Sequence, residues 1–452
     1  MSLAQSDSKS VHEIEYYQHL SKPADPKRES LKENITHTGD KLPIKCFGWH
    51  PYWASSGDYL NYDYSVLSTI GYFSYNVDPQ NGFYTDIHGW DETPIIQYAH
   101  SQGVKVVMVI TNFGYDNNDM LLSDTQSTNR LIDRSVFLVK KHGGDGINID
   151  FESIRSSQRE NLTNFMQNLS NKLKAELPDA ELSICLPSVH WTNAFDIRSL
   201  SKICDYMIIM GYDYFWSGSE NAGPIAPLEN RAYCVRNSII YNLENGATKD
   251  KLYLGVPWYG YDWQVESSEK MSKTLSSGVA RIYPSMEKLS ESHGKQFDID
   301  YKSSWIAYND NGWRQAWFDD SLSLSYKYGI IDEYDLEGIG IWAISYQDKN
   351  GKVWKSIKDF FTASFVFRNE SNEISIYPNP CFDLINILIP DHLFSNVDIK
   401  IFNLNGELQF VKSYFSKDVI KINLLTKGIP SGVYLIAIES GNNKYLETII
   451  KI

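Results

Sequence analysis

Cysteine is scarce in this chain. Five residues, Cys46, Cys185, Cys204, Cys234 and Cys381, lie scattered through 452 positions with no CxxC spacing, which excludes a thiolate zinc site and a disulfide framework. Cys185 and Cys204 sit within apolar runs and read as small buried hydrophobes. No run of 18 apolar residues occurs, so no membrane-spanning helix is indicated. Basic charge is also short: 42 Lys and Arg stand against 56 Asp and Glu, a net charge of −14. Such a chain has no cationic excess to neutralise phosphates, which disfavours nucleic acid and anionic membrane as partners and leaves a neutral polymer unopposed. The ten histidines are dispersed without ligand spacing, so neither a catalytic metal nor a cofactor is expected. The opening Met1-Ser2-Leu3-Ala4-Gln5 lacks the charged and apolar regions of a secretory signal and reads as the start of a mature form.

What is present describes a globular protein, with 42% hydrophobic and 22% charged residues. The length exceeds one ordinary core, which predicts two domains plus a tail. Twelve Trp and 30 Tyr suit sugar stacking, or else bulky packing. Residues 1–44 form a polar extension with a short helix at 11–17, expected to pack on the outside of the first domain. From residue 45, strand and helix patterns alternate. Strands are predicted at 46–53, 69–76, 105–111, 144–152, 182–189, 206–213, 252–259 and 338–346. Helical periods fall at 94–102, 128–142, 158–176, 228–244 and 353–361. Eight strands with intervening helices predict a (β/α)8 TIM barrel over 45–362. The stretch 261–320 is too long for a loop and reads as a small α+β insertion.

One strand stands out. In Asp145-Gly146-Ile147-Asn148-Ile149-Asp150-Phe151-Glu152, alternation places Asn148, Asp150 and Glu152 on one face and Ile147, Ile149 and Phe151 on the other. The apolar row suits a shell of helices, and the acids would sit near the C-terminal mouth, where barrel enzymes keep their chemistry. The run resembles the Asp-Gly-x-Asp-x-Asp-x-Glu signature of glycoside hydrolase family 18, departing from it at Asn148. Met210-Gly211-Tyr212-Asp213 resembles that family's Met-x-Tyr-Asp motif, and Gly340-Ile341-Trp342-Ala343 the site of its floor tryptophan. Weaker matches are Trp49-His50-Pro51-Tyr52-Trp53 and Gly255-Val256-Pro257-Trp258-Tyr259-Gly260. Ile110-Thr111-Asn112-Phe113-Gly114 departs from a Ser-x-Gly-Gly motif, leaving the support of Asp150 open.

The resemblance implies a retaining mechanism in which the substrate's own N-acetyl oxygen attacks the anomeric carbon. It implies Glu152 as acid/base, Asp150 as the carboxylate that raises the pKa of Glu152 and holds the acetamido group, and Tyr212 as donor to the acetamido oxygen. Trp342, Asp213, Met210, Asn148, Trp258 and Trp49 are the expected substrate-binding residues. Asn148 is expected to hydrogen-bond Asp150 without exchanging protons, and Asp145 to be structural.

After residue 362 the character changes. A polar linker at 363–373 precedes short strand patterns at 374–377, 385–389, 398–402, 419–423, 432–440 and 445–452, the spacing of a β-sandwich. With Tyr377-Pro378-Asn379-Pro380, Ile401-Phe402-Asn403-Leu404-Asn405-Gly406, Gly432-Val433-Tyr434 and Lys451, the segment 374–452 resembles a type A C-terminal sorting domain of type IX secretion. The alternative is a carbohydrate-binding module, which the lack of a run of exposed aromatics disfavours. The expected whole is a secreted or cell-surface hydrolase of β-1,4-linked N-acetylglucosamine polymers, with the type IX machinery as its partner. Alternatives are cleavage of peptidoglycan or of N-glycan cores by the same chemistry, and a chitin-binding lectin without hydrolysis.

Overall fold

The computed structural model describes residues 9–22, 42–55, 57–369, 374–377, 379, 381, 384–389, 396–415, 419–424, 427–440 and 443–451. They fall into two compact units, residues 1–356 and 357–452.

In the first unit eight strands, β1 (Lys45–Pro51), β2 (Thr69–Val77), β3 (Lys105–Phe113), β4 (Gly146–Glu152), β5 (Glu181–Leu186), β6 (Tyr206–Met210), β7 (Leu252–Pro257) and β8 (Gly338–Trp342), pair in parallel in chain order. The pairing of β8 with β1 closes the ring. This is the expected TIM barrel, with every strand in place. Helices follow the patterns read from the chain, including Thr125–His142, Arg159–Glu176 and Val235–Glu244. In Arg159–Glu176 the residues at helical spacing, Leu162, Phe165, Met166, Leu169 and Leu173, are all buried. Tyr115–Ser123, Ile197–Ile203 and Ser321–Glu333 form helices that the sequence pattern did not single out.

Between β7 and β8 lies a five-stranded antiparallel sheet, in the order Val279–Ile282, Tyr259–Gln264, Trp313–Phe318, Ser303–Asn309, Gln296–Asp298. Helix Tyr283–His293 covers it, with Met286 packed among Ile306, Tyr308, Ala316 and Phe318. The buried Asp262 accepts hydrogen bonds from Arg281, Arg314 and Tyr308 at 2.7, 3.1 and 2.8 Å.

The second unit has a three-stranded sheet (Ser375–Tyr377, Leu384–Leu388, Val419–Asn423) and a four-stranded one (Leu408–Phe415, Asn396–Asn403, Gly432–Ser440, Asn443–Lys451). Alternating isoleucines from both, among them Ile385, Ile387, Ile399, Ile401, Ile436 and Ile438, form one core, consistent with a sandwich. Strand Leu408–Phe415 is additional to the predicted strands. It lies at the sheet edge with Val411 and Phe415 exposed, so it carries little of the alternation that marks a half-buried strand. The helix Lys352–Asn369 runs past the start of the expected linker. Residues 370–373 of that linker, and Pro378 and Pro380 of the sorting signature, lie outside the described residues.

The glycine of the Asp145-Gly146 pair has a steric role. A Cβ at Gly146 would stand 2.0 Å from the carbonyl oxygen of Glu181 at the start of β5. Gly146→Ala is therefore expected to destabilise the barrel by about 1–3 kcal/mol, because backbone rather than a flexible side chain must yield. Denaturant unfolding of parent and variant measures it.

Candidate active site

Strand alternation sets where the motif residues lie. Asn148 and Asp150 are fully buried inside the barrel, and the side chain of Glu152, at the mouth, is 10% exposed. Met210, Tyr212 and Asp213 arrive from the end of β6, and Trp342 ends β8. Strict alternation would let only one of Tyr212 and Asp213 point inward. Asp213 resolves this with a left-handed backbone, φ 60°, which turns its carboxylate back towards the cleft. There it accepts a hydrogen bond from Tyr259 of the inserted sheet.

The N-terminal extension does not pack on the outside of the barrel. Helix α1 (Val11–His19) lies in its mouth. Ser10 caps it, accepting from the Glu13 amide at 3.0 Å, the first half of a Ser-x-x-Glu capping arrangement. The Ser10 hydroxyl donates to Glu152 Oε1 at 2.9 Å. The Val11 amide donates to Asp213 Oδ2 at 2.7 Å. His12, wholly buried, sets Nδ1 2.8 Å from Asp150 Oδ2 and Nε2 2.9 Å from the Tyr212 hydroxyl. Its ring lies over Trp342, with centroids 3.7 Å apart and planes at 31°. Glu15 Oε2 accepts from Trp342 Nε1 at 3.0 Å and from the Tyr346 hydroxyl at 2.7 Å. Beside α1 remains an open cavity of about 140 Å³, lined by Glu152, Met210, Tyr212, Asp213, Trp191 and Trp216 among others.

The electrostatics follow from burial. Desolvation, joined by the neighbouring Asp150 charge, raises the Glu152 carboxyl well above its ordinary range, and the Ser10 hydroxyl works against it. Burial lifts Asp213 to about 6, opposed by hydrogen bonds from Tyr259 and Val11. It lifts Glu15 to about 8, against the donors Tyr346 and Trp342. His12, Asp150 and Glu152 bring potential ligand atoms within 4.8 Å of one another, but both ring nitrogens of His12 already face hydrogen-bond partners.

Three expectations change. Asn148 does not bond Asp150. Its amide donates to Ser183 at 2.9 Å and its oxygen faces Cys185 Sγ at 3.4 Å, so it ties β4 to β5. Trp258 does not line the cleft. It follows the last residue of β7 on the outward row and packs edge-on against Trp354, ring centroids 4.7 Å apart. Trp49 does face inward, but it is fully buried, with its ring centroid 5.5 Å from that of His12, so it forms the floor beneath α1. The support of Asp150, left open by the sequence, also has an answer. Thr111 is its register neighbour on β3, yet the Thr111 hydroxyl donates to Asn76 at 3.0 Å. Asp150 Oδ1 is buried with no hydrogen-bond partner among the described residues. Asp145, at the start of β4, accepts from the Val106 amide at 2.7 Å and pairs with His100, a structural clasp.

Sequence reasoning missed His12, Glu15 and Tyr346. One signal was available: Ser10-Val11-His12-Glu13-Ile14-Glu15 opens on a good cap, yet Glu15, at i+4, falls on the same side as the apolar Val11.

Docked, Glu15 holds a proton up to about pH 8, whereas a free glutamate releases it near 4.5. Across that window the undocked state binds fewer protons, so docking weakens as pH rises. Amide exchange over 11–19, corrected for intrinsic rate, should speed up from about pH 5 to about pH 8, and Glu15→Gln should flatten the trend.

Comparison with known proteins agrees with this geometry. The sequence model of "Glycosyl hydrolases family 18" matches residues 48–347, and that of "Secretion system C-terminal sorting domain" matches 375–452. The chain is 27% identical over 270 residues to a cortical fragment-lytic enzyme of Bacillus subtilis (strain 168), covering 56% of this chain and 59% of that enzyme. It is 25% identical over 339 residues to a di-N-acetylchitobiase of Mus musculus, covering 66% and 84%. The fold superposes on a family 18 chitinase from Cycas revoluta, solved in complex with (GlcNAc)3, with a TM-score of 0.64 at 19% identity, covering 70% of this chain and 99% of that one. The chain belongs to glycosyl hydrolase family 18: it is a glycoside hydrolase built on a TIM barrel and followed by a secretion system C-terminal sorting domain.

Proposed function

We propose that this enzyme cleaves β-1,4-linked N-acetylglucosamine in a chitin-type polymer or oligomer, with retention and with the substrate's acetamido group as nucleophile. The observation that carries this reading is the convergence of Glu152, Asp150, Tyr212 and Trp342 at one barrel mouth. Glu152, kept protonated by burial and by the adjacent carboxylate, is suited to protonate the leaving oxygen. Asp150 Oδ2, the oxygen that meets His12 at the mouth, would accept a hydrogen bond from an acetamido N–H in its place. The Tyr212 hydroxyl points at the same place and would hold the acetamido oxygen as it attacks. Trp342 would present its face to a sugar ring as it does to the ring of His12. Secretion through the type IX pathway to the cell surface is supported by the C-terminal domain.

The relatives favour a second substrate within the same chemistry. One is named a cortical fragment-lytic enzyme and a solved neighbour a spore cortex-lytic enzyme, so peptidoglycan glycan is the competing polymer. A lectin without hydrolysis is disfavoured by the retained acid at position 152.

Product analysis on chitin oligomers, peptidoglycan and an N-glycopeptide separates these readings, with Glu152→Gln as the blank. Glu152→Gln is expected to lower kcat by about 10²–10⁴-fold with little change in KM. Tyr212→Phe is expected to lower it by about 10²-fold, as for loss of one preorganised donor. Undiminished turnover in Glu152→Gln would overturn the assignment, and binding of oligomers without release of product by the parent would favour the lectin.

A further inference from the structure

Each group given a sugar contact above is already occupied by the chain itself. Asp150 and Tyr212, assigned to the two ends of the acetamido group, face the two nitrogens of one imidazole, at 2.8 and 2.9 Å. Trp342, assigned to the sugar's apolar face, carries that same ring at 3.7 Å. Glu152, assigned to the glycosidic oxygen, accepts a hydrogen bond from a hydroxyl, that of Ser10. Asp213 accepts from a backbone amide.

We propose that α1 is a tethered plug: residues 9–19 fill the sugar site as a substrate-like segment and hold the hydrolase inactive until they are displaced. The proposal rests on the reading of this cleft as the sugar site.

Burial supports it. A short surface helix turns its polar residues to water, but here Val11 and His12 are fully buried and Glu13 and Glu15 are only 6% exposed, while Tyr17 and Gln18 in the last turn are open. Burying an imidazole and a carboxylate is costly unless each finds partners, and they find them on the barrel, 138 to 331 residues away in sequence. These contacts do nothing for the helix itself, whose own cap is satisfied by Ser10. Their geometry matches a ligand: a flat ring on an indole, hydrogen-bonded at opposite edges. Residues 20–44 tether the helix to β1, so re-docking is intramolecular and is favoured by a high effective concentration. A substrate meets only the fraction of molecules whose cleft is open, and its apparent affinity falls by that fraction.

The test uses the full chain with a recognition sequence for a site-specific protease inserted between Lys32 and Glu33. Before cutting, amides of residues 11–19 should exchange slowly. After cutting and dilution they should exchange as free peptide, and turnover of N-acetylglucosamine oligomers should rise by at least about tenfold. A synthetic peptide of residues 9–22 should restore inhibition in competition with substrate. His12→Ala should raise turnover before any cut, whereas Gln18→Ala, on the exposed side, should not. Fast exchange in the uncut chain overturns the plug whatever the substrate. Release of the helix with equal turnover before and after also overturns it, as does a fall in turnover for His12→Ala, which would make His12 part of the catalytic apparatus. Absence of hydrolysis in both forms sinks the reading of the cleft and the plug with it, whereas equal hydrolysis despite unequal exchange sinks the plug alone.

Discussion

Two carboxylates on one face of β4, taken out of water inside a closed barrel, impose a constraint that the surrounding structure has to meet. An isolated ionised carboxylate in such a place is costly, so each must find donors or keep its proton. The barrel provides few donors. Thr111 turns its hydroxyl to Asn76, Asn148 spends its amide on Ser183, and Asp150 Oδ1 is left unpartnered among the described residues. The site is thus built with an electrostatic deficit that an entering group relieves. In this structure the entering group is α1, and in catalysis it would be an N-acetylated sugar. The same burial that raises the Glu152 carboxyl makes the open cleft receptive to any segment bearing hydrogen-bond donors and a flat ring.

The fold was legible because its signals are local and repeated. Eight β-runs spaced by helical periods leave little choice but a closed parallel barrel, and each run needed to be right only in type, with ends off by a few residues. The strand pattern over 206–213 extends three residues beyond β6 because Gly211, Tyr212 and Asp213 keep the composition of a strand. What ends β6 at Met210 is the tight turn that follows, in which the Tyr212 amide donates to the Met210 carbonyl at 2.8 Å; the left-handed Asp213 beyond it brings two adjacent side chains into one cleft. Asp150 and Glu152 could be placed on one inward face because alternation along a barrel strand fixes it, whereas Tyr212 and Trp342 joined them only through the family resemblance. For Trp258 the motif alone points to the cleft, whereas the alternation of β7 puts it on the outward row, where its ring meets Trp354.

Helix α1 shows the opposite case. Its cap and its helical character are written in about ten residues of local sequence, but its docking surface is made of strands from separate parts of the barrel. Nothing in a 3.6-residue period says that His12 will meet Asp150 and Tyr212 at once. A buried polar face is invisible to a method that equates burial with apolar residues.

Asn148 gives the departure from the family signature a physical meaning. An aspartate in its place would set a third ionisable group beside Asp150 within the barrel, able to share or pass on a proton. The amide cannot do this, and it is committed to β5 in any case. The charge on Asp150 therefore has no carboxylate at position 148 to trade protons with; beside it stands the Cys185 thiol, which burial and that charge hold neutral, and above it the imidazole of α1. This couples ligand occupancy at the mouth directly to the electrostatics of the acid: when a donor binds Asp150, its negative charge is partly neutralised and its hold on the proton of Glu152 weakens. In a site where Asp150 could turn inwards to a second aspartate, that coupling would be diluted. Here it is concentrated on one hydrogen bond, which is why the same carboxylate serves both as the anchor for α1 and as the group that would orient a substrate.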